Sequence, residues 1–323
     1  MVDPIQTDNF LSCDWGTTSF RLKYVDAGNG MTMKGISNSE GIKTVHRKWK
    51  QYTGSLNRID FYLSVLKKQI ETLGTKLNRD LGGCPVIISG MASSSIGINE
   101  LPYSRLPLAL KTPKLHVELL SNNHLLLNDI YLVSGLQSST DVMRGEETQL
   151  LGLESKYSLG TGTYLLAGTH SKHVYMDNSS ITDFKTFMTG ELFDLITTES
   201  ILSQSISTHE STSIGKDFEE GVEMSTVENL LHALFKVRTR DLLHNMSHSA
   251  NADYLSGLLI GTELADLIDR KSNNILIFGN SELQKRYSRA CDILKIDASF
   301  ASTDSDEDIT VLGQRIILQQ IIN

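Results

Sequence analysis

Apolar residues along this chain follow two different spacings, and the switches between them mark its elements. Leu56, Ile59, Leu63, Leu66, Ile70, Leu73 and Leu77 recur at three-to-four spacing, with Lys67, Lys68, Glu71 and Lys76 off that stripe. This period predicts an amphipathic helix with Ser55 as its N-cap. Residues 85–90, Pro-Val-Ile-Ile-Ser-Gly, are instead a short apolar run closed by glycine, as are 130–135 and 275–279. Such runs predict buried strands. Residues 9–13, 19–25 and 31–36 predict three more, the last two joined across Ala27-Gly28-Asn29-Gly30. A helix is predicted over 143–153. The second half repeats the opening, with strands over 164–167, 172–176 and 181–187. Helices follow over 190–203, 217–246 and 253–269, then a helix from 281, a strand over 296–300 and a terminal helix from 306.

Two short segments repeat one device. Asp14-Trp15-Gly16-Thr17-Thr18-Ser19 and Ala167-Gly168-Thr169-His170-Ser171 each join two strands through a Gly-Thr-x-Ser turn. Glycine allows a tight turn and close approach of a ligand to the backbone. Backbone N–H groups and hydroxyls together suit an anion such as phosphate. Two such hairpins, one per half, predict two lobes gripping one polyphosphate. Gly152 and Gly313 each sit among apolar residues of a predicted helix. Glycine there costs about 1 kcal/mol against alanine, which a close helix crossing at a hinge would justify.

The 323 residues suffice for two domains and a large core, and 40% of them are hydrophobic. A net charge of −8 argues against a nucleic-acid partner. Cys13, Cys84 and Cys291 are odd in number and far apart, which predicts reduced thiols in the cytoplasm. Asp3, Pro4 and Asp8 interrupt the start of the chain, so no signal peptide is expected, and no apolar run reaches membrane-spanning length. His244 and His248, with Asp241 nearby, have a spacing that can bind zinc, but they lack an evident third ligand and read as a solvated helix face. No G-x-x-x-x-G-K-[ST] occurs, which excludes a P-loop.

Taken in order, five segments resemble the actin, hexokinase and Hsp70-type ATPase superfold. They are 14–18, 146–149, 167–171, 277–281 and the helix bearing Gly313. Three longer strings, at 141–152, 168–172 and 187–193, resemble the 2-dehydro-3-deoxygalactonokinase family. The resemblance implies an α/β chain with a two-lobed, duplicated ribonuclease H-like fold, its mixed sheets flanked by helices. The N-terminal lobe would span 1–143, completed by a helix at 304–323, and the C-terminal lobe 144–303. It implies ATP-dependent phosphorylation of the terminal hydroxyl of a 2-keto-3-deoxy sugar acid. The partners implied are that acid and ATP with Mg²⁺, with no nucleic acid or membrane; a homodimer is one option for assembly. The family usually reads Gly-Met-x-Gly-Ser-Arg-x-Gly-Trp where this chain has 90–98; Ser95 stands in place of the arginine and Ile98 in place of the tryptophan. These departures put the exact sugar acid in question.

Phosphoryl transfer needs positioning and charge neutralisation. Asp14 is expected to hold Mg²⁺ through water, with a turn-capping Asp as the plainer alternative. Gly16, Thr17 and Thr18 would hold one side of the phosphates, and Gly168, Thr169, His170 and Ser171 the other. Arg21 and Lys172, just past the turns, could neutralise the γ-phosphate or a substrate carboxylate, or be solvated strand charges. Glu147, then Glu146, is the expected base. Adjacent helix residues point about 100° apart, so only one of the two can face the substrate squarely. Arg144 beside them could bind the acid's carboxylate. Met91, Ser93, Ser94, Ser95, Glu100 and Tyr103 are the expected sugar contacts, and Gly279 with Asn280 the adenosine contact. A non-catalytic sugar or nucleotide sensor and a polyphosphate hydrolase are the competing readings; a sensor would need no base, and a hydrolase no sugar pocket.

Overall fold

The computed structural model describes residues 8–121, 123–207, 214–270, 272–302 and 308–322. The chain divides into two compact units: 1–159 with 179–181 and 306–323, and 160–178 with 182–305. In the first unit, strands β1 (Asn9–Trp15), β2 (Phe20–Asp26), β3 (Thr32–Asn38), β4 (Val86–Gly90) and β5 (Ile130–Val133) lie in the order β3-β2-β1-β4-β5. Strands β1, β2 and β3 pair antiparallel, while β4 pairs parallel with both β1 and β5. An edge strand, Val117–Leu120, runs antiparallel to β5.

The second unit repeats this order. Strands β6 (Gly162–Leu166), β7 (Ser171–Asp177), β8 (Ser180–Phe187), β9 (Ile275–Gly279) and β10 (Ala298–Ser302) lie as β8-β7-β6-β9-β10. Here β6 pairs antiparallel with β7 and parallel with β9, and β9 pairs parallel with β10. Ser180 and Ile181, at the start of β8, belong to the first unit and pair there with Leu108–Ala109. The duplicated, mixed-sheet α/β architecture expected from the sequence is therefore the one the chain adopts.

Helices follow the same logic with some shifts. The long helix α2 (Arg58–Leu77) is capped by Asn57, whose side chain accepts from the Asp60 N–H, and not by Ser55. Its buried residues Leu63, Leu66, Ile70 and Leu73 join Trp15, Leu22 and Ile88 in the first core. Helix α1 (Ile42–Lys50) was not legible in the pattern, because only Ile42 and Val45 of it are buried and, Trp49 apart, the rest is basic or polar. Helix α3 covers Glu146–Tyr157 and α4 covers Thr189–Glu199. The single helix expected over 217–246 is two, α5 (Lys216–Val227) and α6 (Leu230–His244). Asn229 takes extended backbone and caps α6 through its side chain, which breaks the run. Helix α7 (His248–Asp269) starts earlier than expected, at a Ser247 cap, and α8 covers Ser281–Leu294. Helix α9 covers Ile309–Ile322; its expected start at 306 lies outside the described residues.

The first unit extends past the boundary expected at 143 and takes in α3. The reason is the crossing of α3 and α9. A Cβ at Gly152 would lie 1.9 Å from the Ile309 carbonyl oxygen, and one at Gly313 would lie 1.9 Å from that of Thr148. The two helices touch backbone to backbone, which only glycine permits. Gly313→Ala is therefore expected to lower stability by about 3 kcal/mol through overpacking against a fixed carbonyl. Chemical denaturation measures this, and an unchanged midpoint would show that the crossing relaxes freely.

Candidate functional site

In the first unit the site grows from the end of β1. Asp14 pairs with Arg21 across the hairpin, the two being register partners, and Arg21 Nη1 donates to Asp14 Oδ2 at 2.8 Å. The Asp14 side chain keeps 24% of its exposure. Burial pushes its carboxyl up and Asp308 adds to this, while Arg21 and Lys23 pull it back; the net direction is upward. Asp308 was not singled out in the sequence. It accepts from Lys23 Nζ and caps α9 by accepting the Thr310 N–H at 2.8 Å. Gln314 of α9, wholly buried, donates from Nε2 to the Cys13 carbonyl and to Ser89 Oγ, each at 2.8 Å. The C-terminal helix thus braces the strand ends on either side of Asp14.

The turn after Asp14 is closed by the Gly16 N–H donating to the Ser19 carbonyl at 2.9 Å. That N–H is engaged within the hairpin, while Thr17 and Thr18 are exposed. Helix α1 docks on it, with Ile42 N–H donating to the Gly16 carbonyl at 2.9 Å and Lys43 N–H to that of Thr17 at 3.0 Å.

Three backbone segments converge beside Asp14. Gly90 closes β4 at φ +92° and Gly145 precedes α3 at φ +110°. A Cβ on Gly145 would lie 3.4 Å from Gly90 Cα, and one on Gly90 would lie 3.5 Å from Asp14 Oδ1. Both positions have the left-handed backbone that favours glycine. This brings the head of α3 to the end of β1.

The two glutamates at that head have different surroundings. Glu147 is 1% exposed. Its two carboxylate oxygens accept the Gly145 N–H at 2.9 and 2.8 Å, and Oε1 also accepts from Thr148 Oγ1 at 3.1 Å. Burial, helped by the Glu146 charge, pushes its carboxyl from 4.5 up to about 7 against those hydrogen bonds. Glu146 is half-buried and accepts the Arg144 N–H at 3.0 Å. The sequence ranked Glu147 first as base. In the structure it folds back onto its own helix start, where an acidic group complements the helix dipole, and Glu146 is the less buried of the two.

Arg144 lies next to this pair. Its Nη1 donates to the Ser93 carbonyl at 2.7 Å and to Ser93 Oγ at 2.6 Å, and its guanidinium stacks 4.2 Å above the Tyr103 ring. Its Nε is buried with no hydrogen-bond partner. The structure therefore brings Ser93, Tyr103 and Arg144 together. Ser94 turns inward, its Oγ donating to the Met91 carbonyl at 2.7 Å. Met91 itself packs on the first core, and Ser95 and Glu100 are exposed. Ile98 is wholly buried in that core, so the departure at 98 is a matter of packing. At Ser95 a guanidinium arrives from elsewhere: Arg58 Nη1 of α2 donates to the Ser95 carbonyl at 2.8 Å.

In the second unit the turn after β6 repeats the first. Helix α4 docks on it, with Glu191 N–H donating to the Thr169 carbonyl at 3.0 Å. A Cβ at Gly190 would lie 2.7 Å from Thr169 Cα. Gly168 has open space around its Cα, Thr169 and His170 are exposed, and His170 pairs with Glu191. Ser171 is buried and faces Tyr287. Lys172 departs from the expectation of an available cation: it is 3% exposed and its Nζ donates to the His170 carbonyl at 3.0 Å, bracing the turn.

Beside this turn lies a cavity of about 810 Å³. Gly168, Thr169, Gly190, Asn280, Asp253 and Arg286 are among its lining. Asn280 caps α8 by accepting the Leu283 N–H at 2.9 Å, so it both starts that helix and faces the cavity, while Gly279 is buried behind it. Asp253 and Arg286, paired at 3.1 Å, escaped the sequence reading because neither sits in a recognisable turn. Another cavity, of about 700 Å³, lies by the C-terminal end of α2 and contains none of the expected site residues.

The family model of 2-keto-3-deoxy-galactonokinase matches residues 14–314. The chain belongs to the 2-keto-3-deoxy-galactonokinase family. It is 31% identical to the 2-dehydro-3-deoxygalactonokinase of Escherichia coli over 68% of this chain and 75% of that one. It is 29% identical to the probable 2-dehydro-3-deoxygalactonokinase DgoK1 of Rhizobium meliloti, covering 93% of this chain and 94% of the other. A crystal structure from Sinorhizobium meliloti, provisionally assigned as a 2-dehydro-3-deoxygalactonokinase, superposes with a TM-score of 0.80 at 26% identity. That match covers 97% of this chain and 96% of the other. The family is one of sugar-acid kinases on the actin/hexokinase-type fold.

Among the described residues no group of three or more His, Cys, Asp or Glu side chains could hold a metal ion. His248 Nε2 lies 3.8 Å from Asp241 Oδ1, an ordinary surface contact. No described helix is long and apolar enough to cross a membrane.

Proposed function

We propose that the chain is an ATP-dependent kinase that phosphorylates the terminal hydroxyl of a 2-keto-3-deoxy sugar acid, with 2-dehydro-3-deoxy-D-galactonate first among candidates, to its 6-phosphate. The observation that carries this reading is the pairing of Arg144 with Glu146 at the head of α3, in a chain of this family. A sugar acid needs a cation for its carboxylate and a base for its hydroxyl, and these two residues are joined by a hydrogen bond from the Arg144 N–H. Arg144 presents a buried Nε without a partner, backed by Ser93 and Tyr103. A carboxylate accepting from it gains a charge-assisted hydrogen bond. Ser95 and Glu100 are the exposed polar groups of the same segment and would meet sugar hydroxyls.

The second unit supplies the nucleotide site in this reading. The cavity beside Gly168, Thr169 and Asn280 is of a size that takes a small ligand. Mg²⁺ sheds its water reluctantly and is usually held by one or two carboxylates together with phosphates. The lone Asp14 fits that donor set, and Mg²⁺ there would neutralise charge on the transferring phosphoryl group. Arg21, which holds Asp14 in this structure, is free to follow the charge when the metal takes that place. Cys13, Cys84 and Cys291 are unpaired, which supports a cytoplasmic setting.

The test is ATP consumption with Mg²⁺ against a panel of aldonic acids, 2-keto-3-deoxyaldonic acids and neutral sugars. Turnover confined to 2-keto-3-deoxygalactonate is the expected result. Arg144→Met should then raise KM for the acid roughly tenfold or more, the worth of one charged hydrogen bond. Turnover with another acid would keep the chemistry and change the substrate. ATP binding without turnover would favour a sensor, and acid-independent hydrolysis a hydrolase.

A further inference from the structure

Beneath the second turn lies a buried carboxylate that the chemistry above does not use. Glu263 of α7 is 2% exposed. Its Oε2 accepts from Tyr287 Oη at 2.8 Å and from Thr189 Oγ1, and its Oε1 lies 3.1 Å from His173 Nε2. Ser171 and His173 alternate along β7 onto the same side, and both are wholly buried. Ser171 Oγ lies 3.2 Å from Tyr287 Oη. Thr189 opens α4, the helix that docks on Thr169. One carboxylate therefore joins α8, β7 and the start of α4 around the turn 168–171.

Burying a charge is expensive unless it is paired and fully hydrogen-bonded. Here it is both. Burial alone would lower the proton affinity of His173, but its contacts with Asp266 and Glu263 raise it beyond that loss, so the net direction is upward. Asp266 is itself held by Tyr175 Oη at 3.0 Å and by Lys185. A core that needed only volume would be served by an apolar residue, with no desolvation cost. The groups Glu263 gathers belong to elements that form the cavity wall: Gly168, Thr169, Thr189, Gly190 and Tyr287 all line it.

We infer that Glu263 is a positioning residue for the phosphates of the nucleotide, fixing the turn 168–171 and the first turn of α4 against each other through Tyr287 and Thr189. The inference rests on the nucleotide reading proposed above. It separates two parts of the ligand: the phosphates depend on the turn, while the nucleoside depends on the rest of the cavity.

Isothermal titration of the full chain with a non-hydrolysable ATP analogue and with adenosine tests this, using Glu263→Gln and the milder Tyr287→Phe. Both variants should lose roughly tenfold or more in affinity for the ATP analogue. Adenosine affinity, and KM for the sugar acid, should stay within about twofold in both. A general loss of structure would weaken adenosine in parallel, and that result, or an unchanged affinity for the ATP analogue, overturns the inference. If Glu263→Gln does not fold, Tyr287→Phe carries the test, since it removes a single hydroxyl. A wild-type chain that binds neither ligand would overturn the nucleotide reading itself, and this inference with it.

Discussion

Asp14→Asn is expected to lower kcat by roughly 10³-fold, about 4 kcal/mol in the barrier. The substitution keeps the shape of the side chain and its place in β1, so the fold should be untouched. What it removes is the negative charge at the end of the strand. In this structure that charge is matched by Arg21 at 2.8 Å, with a second pair, Lys23 and Asp308, beside it. If Asp14 served only as the cross-strand partner of Arg21, its loss would cost under about 1 kcal/mol, as exposed ion pairs do. Activity would then be nearly normal. If it holds Mg²⁺ through water, activity falls steeply and the variant needs more Mg²⁺ to reach its residual rate. Titrating Mg²⁺ at saturating ATP and acid separates the two outcomes. A variant with full activity and an unchanged Mg²⁺ requirement would falsify the metal assignment.

Glu146→Gln should lower kcat by about 10²- to 10⁴-fold, the usual worth of a general base, with little change in KM for ATP. Glu147→Gln should cost much less activity and act instead on stability. The Glu147 carboxyl is raised in the folded chain from 4.5 to about 7, so the folded state binds its proton more tightly than the unfolded state. That contribution is fully present below about pH 4.5 and is lost as pH rises through about 7. Above that, keeping Glu147 ionised and buried costs about 3 kcal/mol. Glutamine does not ionise, so the fall in stability between about pH 4.5 and 7 should flatten in the variant. Denaturant titrations at several pH values check this alongside kcat. The opposite pattern, with activity lost in Glu147→Gln and kept in Glu146→Gln, would make Glu147 the base and its raised pKa a tuned one.

The duplicated hairpins were legible because glycine turns and apolar runs are local signals. Asp14, Gly168 and Arg144 could be placed on strand ends or helix heads by pattern alone. Helix α1 was missed because it buries only two residues and its helical state depends on docking to the Gly16–Thr17 turn. The joined helix over 217–246 was misread because its apolar period continues through Asn229, while the break depends on that side chain turning back as a cap. Lys172 looked available because strand alternation gives a direction and not a burial.

Sequence by itself determined the family, the repeated strand order and the residue types of the site, since these follow from period, turn chemistry and ordered motifs. Only the tertiary structure decided the state of each group: Glu147 folded onto its own helix, Glu146 left half-buried, Asp308 and Gln314 brought to Asp14, and Glu263 set beneath the second turn. Burial and hydrogen bonding come from segments up to 301 residues apart in the chain, as from Gln314 to Cys13. A carboxylate's charge and reach depend on those neighbours, and no local pattern encodes them.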